Sequence, residues 1–276
     1  MNYRRCVVAL FALSLAAHTP DHRPPPPLRI LVTNDDGIDA PELHALCLEL
    51  AKIAEVTVCA PDANRSGASH SVTMGQRMGV SEREVEGAIR AVAVSGTPAD
   101  ATSFGTLTLS GGEAFDLVVC GINRGANVGK VAHYSGTVGA AMEAVYQGVP
   151  AIAVSQAPGA DTSATAAFTR SFIEEMGKHA AIPGVVWSIN APRTVLASPV
   201  VAGMGGSYLQ VLSYRKVSDP GDPEVWRSIR GSGSNGPDGC DTAEYFAGRV
   251  TVTPLRLDWT HERARELAAS WQLGDR

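Results

Sequence analysis

The stretch from Leu28 to Gly37, Leu-Arg-Ile-Leu-Val-Thr-Asn-Asp-Asp-Gly, constrains the fold more than any other part of the chain. Ile30 to Val32 is an apolar run with a β-branched residue on either side of Leu31, and such a run reads as a strand buried on both faces. In an α/β protein that means a parallel strand, so the adjacent carboxylates Asp35 and Asp36 stand at its carboxyl end. Ligands of open α/β sheets bind at that edge, where strand ends and helix N-termini meet in a crevice. Two neighbouring aspartates raise one another's pKa unless they share a cation, and a hard divalent metal resolves the repulsion. The plainer alternative is that the pair ends the strand, Asp36-Gly37 turns the chain, and one of these residues caps the next helix.

After Gly37 the chain alternates between helical and strand periodicity. Residues 41–53 carry Leu43, Leu46, Cys47, Leu50 and Ile53 at helical spacing, with Pro41 in the first turn. Residues 56–60 form a second strand that runs into a hydroxyl- and glycine-rich loop, 61–71. Residues 72–88 have no clear period and read as irregular chain or a short hairpin. A third strand, 91–94, ends at Ser95-Gly96-Thr97-Pro98, where Thr97 suits an N-cap and Pro98 a first helical position. A fourth strand, 116–120, leads into a glycine-spaced loop, 121–129. Tyr134-Ser135-Gly136-Thr137 then introduces an alanine-rich helix, 138–147, whose free amides make an anion pocket. A fifth strand (151–155), a helix (163–179) and a sixth strand (185–190) complete the series. Such alternation predicts an α/β, Rossmann-like, doubly wound, mostly parallel sheet.

Beyond Ala202 the texture changes. Residues 208–212 and 249–253 alternate, with a glycine- and serine-rich stretch, 231–240, between them. This predicts a long C-terminal antiparallel β excursion with a flexible middle, and a short amphipathic helix over 262–271 closes the chain. At the other end, Arg4-Arg5, the apolar run 6–13 and the small residues 14–17 have the order of a signal peptide. The run is short for spanning a bilayer, and Pro24-Pro25-Pro26-Pro27 makes a stiff linker after it. The expected organisation is therefore 1–27 as signal-like segment and linker, 28–200 as catalytic core, and 201–276 as an extension with an oligomerisation hairpin and terminal helix. The N-terminal pattern points to export to the periplasm, with a cytoplasmic protein as the alternative.

Composition narrows the function. The chain of 276 residues is 45% hydrophobic and carries a net charge of −5, which provides no basic field for duplex nucleic acid. The five cysteines, Cys6, Cys47, Cys59, Cys120 and Cys240, have neither zinc-like spacing nor a C-x-x-C pair. The loop after the fourth strand is neither the G-x-G-x-x-G fingerprint nor a P-loop.

Oxygen donors from three strand ends share one rim: the carboxylates of Asp35 and Asp36, the hydroxyl of Ser66 and the side-chain amide of Asn123. All-oxygen coordination suits magnesium or manganese better than zinc. Thr33-Asn34-Asp35-Asp36-Gly37, Ala60-Pro61-Asp62 with Arg65-Ser66-Gly67, Ser95-Gly96-Thr97-Pro98, Gly121-Ile122-Asn123 with Gly125, and Tyr134-Ser135-Gly136-Thr137-Val138 occur in one order. In that order the sequence resembles the SurE family, the survival-protein-E nucleoside monophosphate phosphatases.

The resemblance implies a Rossmann-like core, one divalent metal ion and hydrolysis of nucleoside 5′- and 3′-monophosphates, with short polyphosphate as a further substrate. It places the metal on Asp35, Asp36, Ser66 and Asn123, and it implies a homodimer or homotetramer. Asp35, Asp36 and Asn123 are the catalytic candidates. Asn34, Gly96, Asn127, Ser135, Gly136 and Thr137 are the substrate- and phosphate-binding candidates. His70 and His133 lie in loops from which a leaving alkoxide could be protonated, or where a histidine makes a structural hydrogen bond. Lys130 stands where family members usually carry an acidic residue. A phosphatase of another small metabolite and a non-catalytic nucleotide sensor are the competing functions.

Overall fold

The computed structural model describes residues 27–271 apart from 220 and 222; the signal-like segment and the prolines before Pro27 lie outside the described residues. The elements in chain order are β1 (Leu28–Thr33), α1 (Pro41–Leu50), β2 (Ala54–Pro61), β3 (Val80–Arg83), β4 (Arg90–Val94), α2 (Pro98–Phe104), β5 (Leu117–Arg124) and α3 (Gly136–Tyr146). They continue with β6 (Ala151–Gln156), α4 (Thr162–Met176), β7 (Val185–Ala191), β8 (Ala197–Val201), β9 (Leu209–Lys216), β10 (Trp226–Ser232), α5 (Asp241–Phe246), β11 (Arg249–Arg256) and α6 (Glu262–Ala269).

Among the described residues one sheet of nine strands has the order β3-β4-β2-β1-β5-β6-β7-β11-β8. Its centre, β4-β2-β1-β5-β6-β7, is parallel throughout. The order reverses between β1 and β5, which makes their carboxyl ends the topological switch point where open α/β sheets take their ligands. Asp35 and Asp36 follow β1 directly, and Asn123 lies at the end of β5.

Alternation along the strands supplies both faces of the sheet. Ile30 and Val32 pack with Leu43, Leu46 and Leu50 of α1 and Ile173 of α4. Leu31 points the other way, among Ala101 of α2 and Val138, Ala140, Ala141 and Ala144 of α3. The small residues of α3 let it lie close to the sheet. Burial on both sides of the sheet explains why the strands read as continuous apolar runs.

Two sequence expectations need correction. First, β5 does not stop at Cys120. It continues to Arg124, shifts register between Cys120 and Asn123, and pairs Asn123 with Ser155, so Asn123 is held by a strand end and not by a free loop. Secondly, residues 249–253 do not belong to the late antiparallel excursion. They form β11, which rejoins the main sheet antiparallel to β7 and parallel to β8. The separate antiparallel pair is β9 with β10. The strand β10 had no clean alternation to mark it, and β8 contains Pro199, which fits its place at the sheet edge.

The start of α2 is closed by a capping box: the Thr97 hydroxyl accepts from Asp100 N at 3.1 Å, and the Asp100 carboxylate accepts from Thr97 N at 2.8 Å. Asp100 also accepts from the Thr73 amide at 2.9 Å and the Thr73 hydroxyl at 2.7 Å. Burial alone would raise this carboxyl, but the hydrogen bonds from Thr73 and Thr97 outweigh it and hold it below the ordinary range. A lowered folded-state pKa gives stability that is present above the unfolded value, about 3.9, and lost as pH falls through the folded value. Asp100→Ala is therefore expected to cost about 1 kcal/mol, the ordinary worth of a helix cap, in urea unfolding at pH 7. The deficit should shrink as the pH is taken down toward 3; a deficit independent of pH would contradict the assignment.

Candidate active site

The turn after β1 is set by Asn34, whose side-chain amide donates to the Gly37 carbonyl at 2.8 Å while its oxygen accepts from Gly37 N at 3.1 Å. Asn34 is fully buried. It shapes the Asp35-Asp36 turn from beneath, with its side chain committed to Gly37. The turn sends the two aspartates into different surroundings.

Asp35 is buried, 3% exposed, and points at the start of α3. Its Oδ1 accepts from the Thr137 hydroxyl at 2.5 Å. Gly136 is required beside it, because a Cβ there would stand 2.8 Å from the Asp35 Cβ and 3.1 Å from Pro98 Cγ. Burial raises the pKa of Asp35, the Thr137 hydrogen bond opposes that rise, and the charge of Asp36 adds to it. The helix N-terminus favours negative charge at this point, and Ser135 caps it by accepting from Val138 N at 3.1 Å.

Asp36 is where separate strand ends meet. Its Oδ1 accepts from the Asn64 side-chain amide at 3.1 Å, and its Oδ2 accepts from the Arg124 backbone amide at 3.2 Å. Asn64 in turn accepts from the Ser66 backbone amide at 2.9 Å, while Arg65 N donates to the Asp35 carbonyl at 2.7 Å. The Arg65 guanidinium reaches the Ser95 carbonyl at 3.2 Å. These bonds fasten the loop after β2 and the end of β5 to the turn after β1, and the loop after β4 to the loop after β2. Ser66 and Asp36 thus share one bridging side chain, that of Asn64. Asn123 donates its amide nitrogen to the Gly125 carbonyl at 2.7 Å, which leaves its oxygen, an acceptor only, for a cation.

The structure therefore brings together Asp35, Asp36, the Ser66 loop, the end of β5 that carries Asn123, Gly136 and Thr137, with the Gly96 loop tied in through Arg65. Asn127 is held differently: its amide donates to Ser155 Oγ at 2.8 Å, and its backbone N donates to Asn190 Oδ1 at 2.7 Å. Among the described residues no three His, Cys, Asp or Glu side chains form a metal cluster. A cation on this rim would draw on hydroxyl and amide oxygens as well as the two carboxylates, a donor set that suits a hard ion.

Asn64, Arg65 and Arg124 were missed as site residues from sequence. An asparagine two positions before the candidate serine, in a loop, was the one available signal. A cleft of 320 Å³ beside Asp36 is lined by Asp39, Asp62, Asn64 and Arg124. A larger one, of 500 Å³, lies against α3 and includes His70, His133 and Ser135 but neither aspartate of the pair. The carboxylate pair, and not the larger void, is where the strand ends gather. His70 commits Nε2 to Glu143 at 2.8 Å, the geometry of a structural hydrogen bond, and His133 is exposed. Lys130 is also exposed, and its backbone N donates to the Gly206 carbonyl at 3.0 Å.

Known proteins share this arrangement of elements. The sequence profile described as Survival protein SurE matches residues 30–209. The chain is 38% identical over 251 residues to the 5′-nucleotidase SurE of Vibrio parahaemolyticus, covering 89% of this chain and 95% of that one. It is 37% identical over 257 residues to the 5′-nucleotidase SurE of Geobacter sulfurreducens, covering 89% and 94%. The crystal structure of the SurE protein from Aquifex aeolicus superposes with a TM-score of 0.75 at 28% identity, over 87% of this chain and 98% of that one. With its profile match, its relatives and its fold in agreement, this chain belongs to the survival protein SurE family.

Proposed function

We propose that the chain is a divalent-cation-dependent phosphomonoesterase that hydrolyses nucleoside 5′- and 3′-monophosphates to nucleoside and phosphate. The relatives named as 5′-nucleotidases support the reaction class. The observation that carries the reading is the double engagement of Asp36, by Asn64 from one strand end and by Arg124 from another. Asp35, Asp36, Ser66 and Asn123 are the residues that would hold one magnesium or manganese ion. Such an ion supplies Lewis-acid polarisation of a phosphoryl oxygen and offsets transition-state charge.

The chain's own groups do the rest. Thr137 fixes the orientation of the Asp35 carboxylate. Thr137 also turns its backbone amide to Asp35, which leaves the Gly136 amide at the start of α3 as the donor offered to the phosphate oxygens. Water adds to phosphorus as the ester P–O bond breaks, and the departing nucleoside oxygen takes up a proton.

Exposed apolar side chains support assembly. Val211, Leu212 and Tyr214 of β9, Trp226 of β10, Trp259, and Leu267 of α6 are all more than half exposed. Exposed large apolar side chains in this number favour a protein partner, and a homodimer or homotetramer would cover them. Among the described residues no helix is long and apolar enough to cross a membrane. Light scattering after size exclusion should give a mass of two or four chains; a monomer at micromolar concentration would contradict the assembly.

Phosphate release from 5′- and 3′-nucleotides, sugar phosphates and polyphosphate tests the activity. Nucleotides should be the best substrates, chelator should abolish turnover, and added manganese or magnesium should restore it. Turnover that persists in chelator would reject the reading. Asp35→Asn should lower kcat/KM by 100-fold or more, on the order of 3 kcal/mol of transition-state stabilisation. Asn64→Ala should raise the metal concentration needed for half-maximal turnover while leaving the fold intact by circular dichroism.

A further inference from the structure

The segment between Asn123 and Ser135 links two parts of the candidate site, and the backbone that holds it comes largely from far along the chain. Tyr208 donates its hydroxyl to the Ala126 carbonyl at 2.7 Å. The amide of Lys130 donates to the Gly206 carbonyl at 3.0 Å. Between these two contacts sits Asp241, 2% exposed. Its Oδ2 accepts from Gly129 N at 2.8 Å, and its Oδ1 accepts from Gly205 N at 2.8 Å and from Thr242 N at 2.7 Å.

One buried carboxylate thus joins three strands of backbone: the loop after β5, the point where the β9–β10 excursion leaves, and the point where it returns. The fit is close. Gly129 adopts φ +59°, and a Cβ there would stand against the Gly205 carbonyl and the Thr242 hydroxyl. Gly203 bridges to Cys240 at the same place, and Tyr208 and Tyr245 close the patch over Ala126 and Val128. Charge-assisted hydrogen bonds to backbone amides are about twice as strong as neutral ones, and a buried carboxylate without them would carry a large desolvation penalty.

We infer that Asp241 is a positioning residue: through Gly129 it sets the loop that joins Asn123 to Ser135, and so couples the base of the excursion to the catalytic rim. The inference rests on the nucleotidase reading and deepens it. Asp241 spends its carboxylate on the backbone amides of Gly129, Gly205 and Thr242 and acts through them. Replacing it with asparagine puts an N–H₂ group against backbone donors, which breaks the junction with almost no change in volume.

The test compares wild type with Asp241→Asn and with Ile173→Ala, a cavity-forming change among the side chains that pack α4 on the other face of the sheet. Release of phosphate from AMP is measured with saturating manganese, at a temperature where circular dichroism shows each protein folded, together with manganese affinity by calorimetry. Asp241→Asn should lose about tenfold in kcat/KM and bind manganese several-fold more weakly. Ile173→Ala should melt at lower temperature yet keep both values.

A folded Asp241→Asn protein within twofold of wild type in both measurements would overturn the inference. Should Asp241→Asn fail to fold, Tyr208→Phe removes only the hydroxyl bond to the Ala126 carbonyl and loosens the same loop, and it must give the same pair of losses. If wild type releases no phosphate from AMP, the nucleotidase reading falls, and manganese affinity alone decides the positioning role: an unchanged dissociation constant overturns it.

Discussion

Two carboxylates placed side by side at the carboxyl end of a central parallel strand are the constraint on which this structure turns. Burial of Asp35 and the charge of Asp36 beside it both disfavour the charged form of Asp35, so the fold has to answer with donors. It does so from several directions: Thr137 hydroxyl on Asp35, Asn64 side chain and Arg124 amide on Asp36. Each donor comes from a different element, and each element arrives because the sheet order reverses between β1 and β5. The same arrangement that steadies the acidic pair brings the Ser66 loop and the end of β5 that carries Asn123 to the rim where the proposed cation would sit. Stability and proposed chemistry therefore draw on one set of contacts.

The sequence disclosed the parallel core because both faces of that sheet are buried. Ile30-Leu31-Val32 and Leu117-Val118-Val119-Cys120 have no polar face to interrupt them, and helices with one apolar stripe follow in turn. The caps at Thr97 and Ser135 were legible for the same reason, since their chemistry is local. The course of the chain after Ala202 was not legible. Alternating residues in 249–253 look alike whether their partner is a nearby hairpin strand or β7, and only tertiary pairing separates the two. The extension of β5 to Arg124 was hidden by its register shift and by the glycine at 121, which reads as a loop.

The site was legible at the level of residue types and much less so at the level of roles. Thr137 meets Asp35, while Asp36 turns to Asn64 and Arg124. Asn34 stood in the same motif, yet it is buried and committed to Gly37, because a sharp turn needs an internal brace as much as an exposed ligand. Asn64 drew no attention, although its amide bridges Asp36 and the backbone of Ser66. Asp241 was invisible from sequence: a carboxylate more than a hundred residues from its partner Gly129 carries no local signature. Long-range hydrogen bonds to backbone are the part of a site that spacing rules do not reach.

In the proposed metal centre Asp35, Asp36, Ser66 and Asn123 share one divalent cation. Crystals soaked in manganese and measured for anomalous scattering test it directly. One strong peak is expected on this rim, within about 2.6 Å of oxygen atoms from all four side chains, the outer reach of hard-cation ligation. Soaked crystals with no peak there, or with a peak touching only one of the two aspartates, would contradict it.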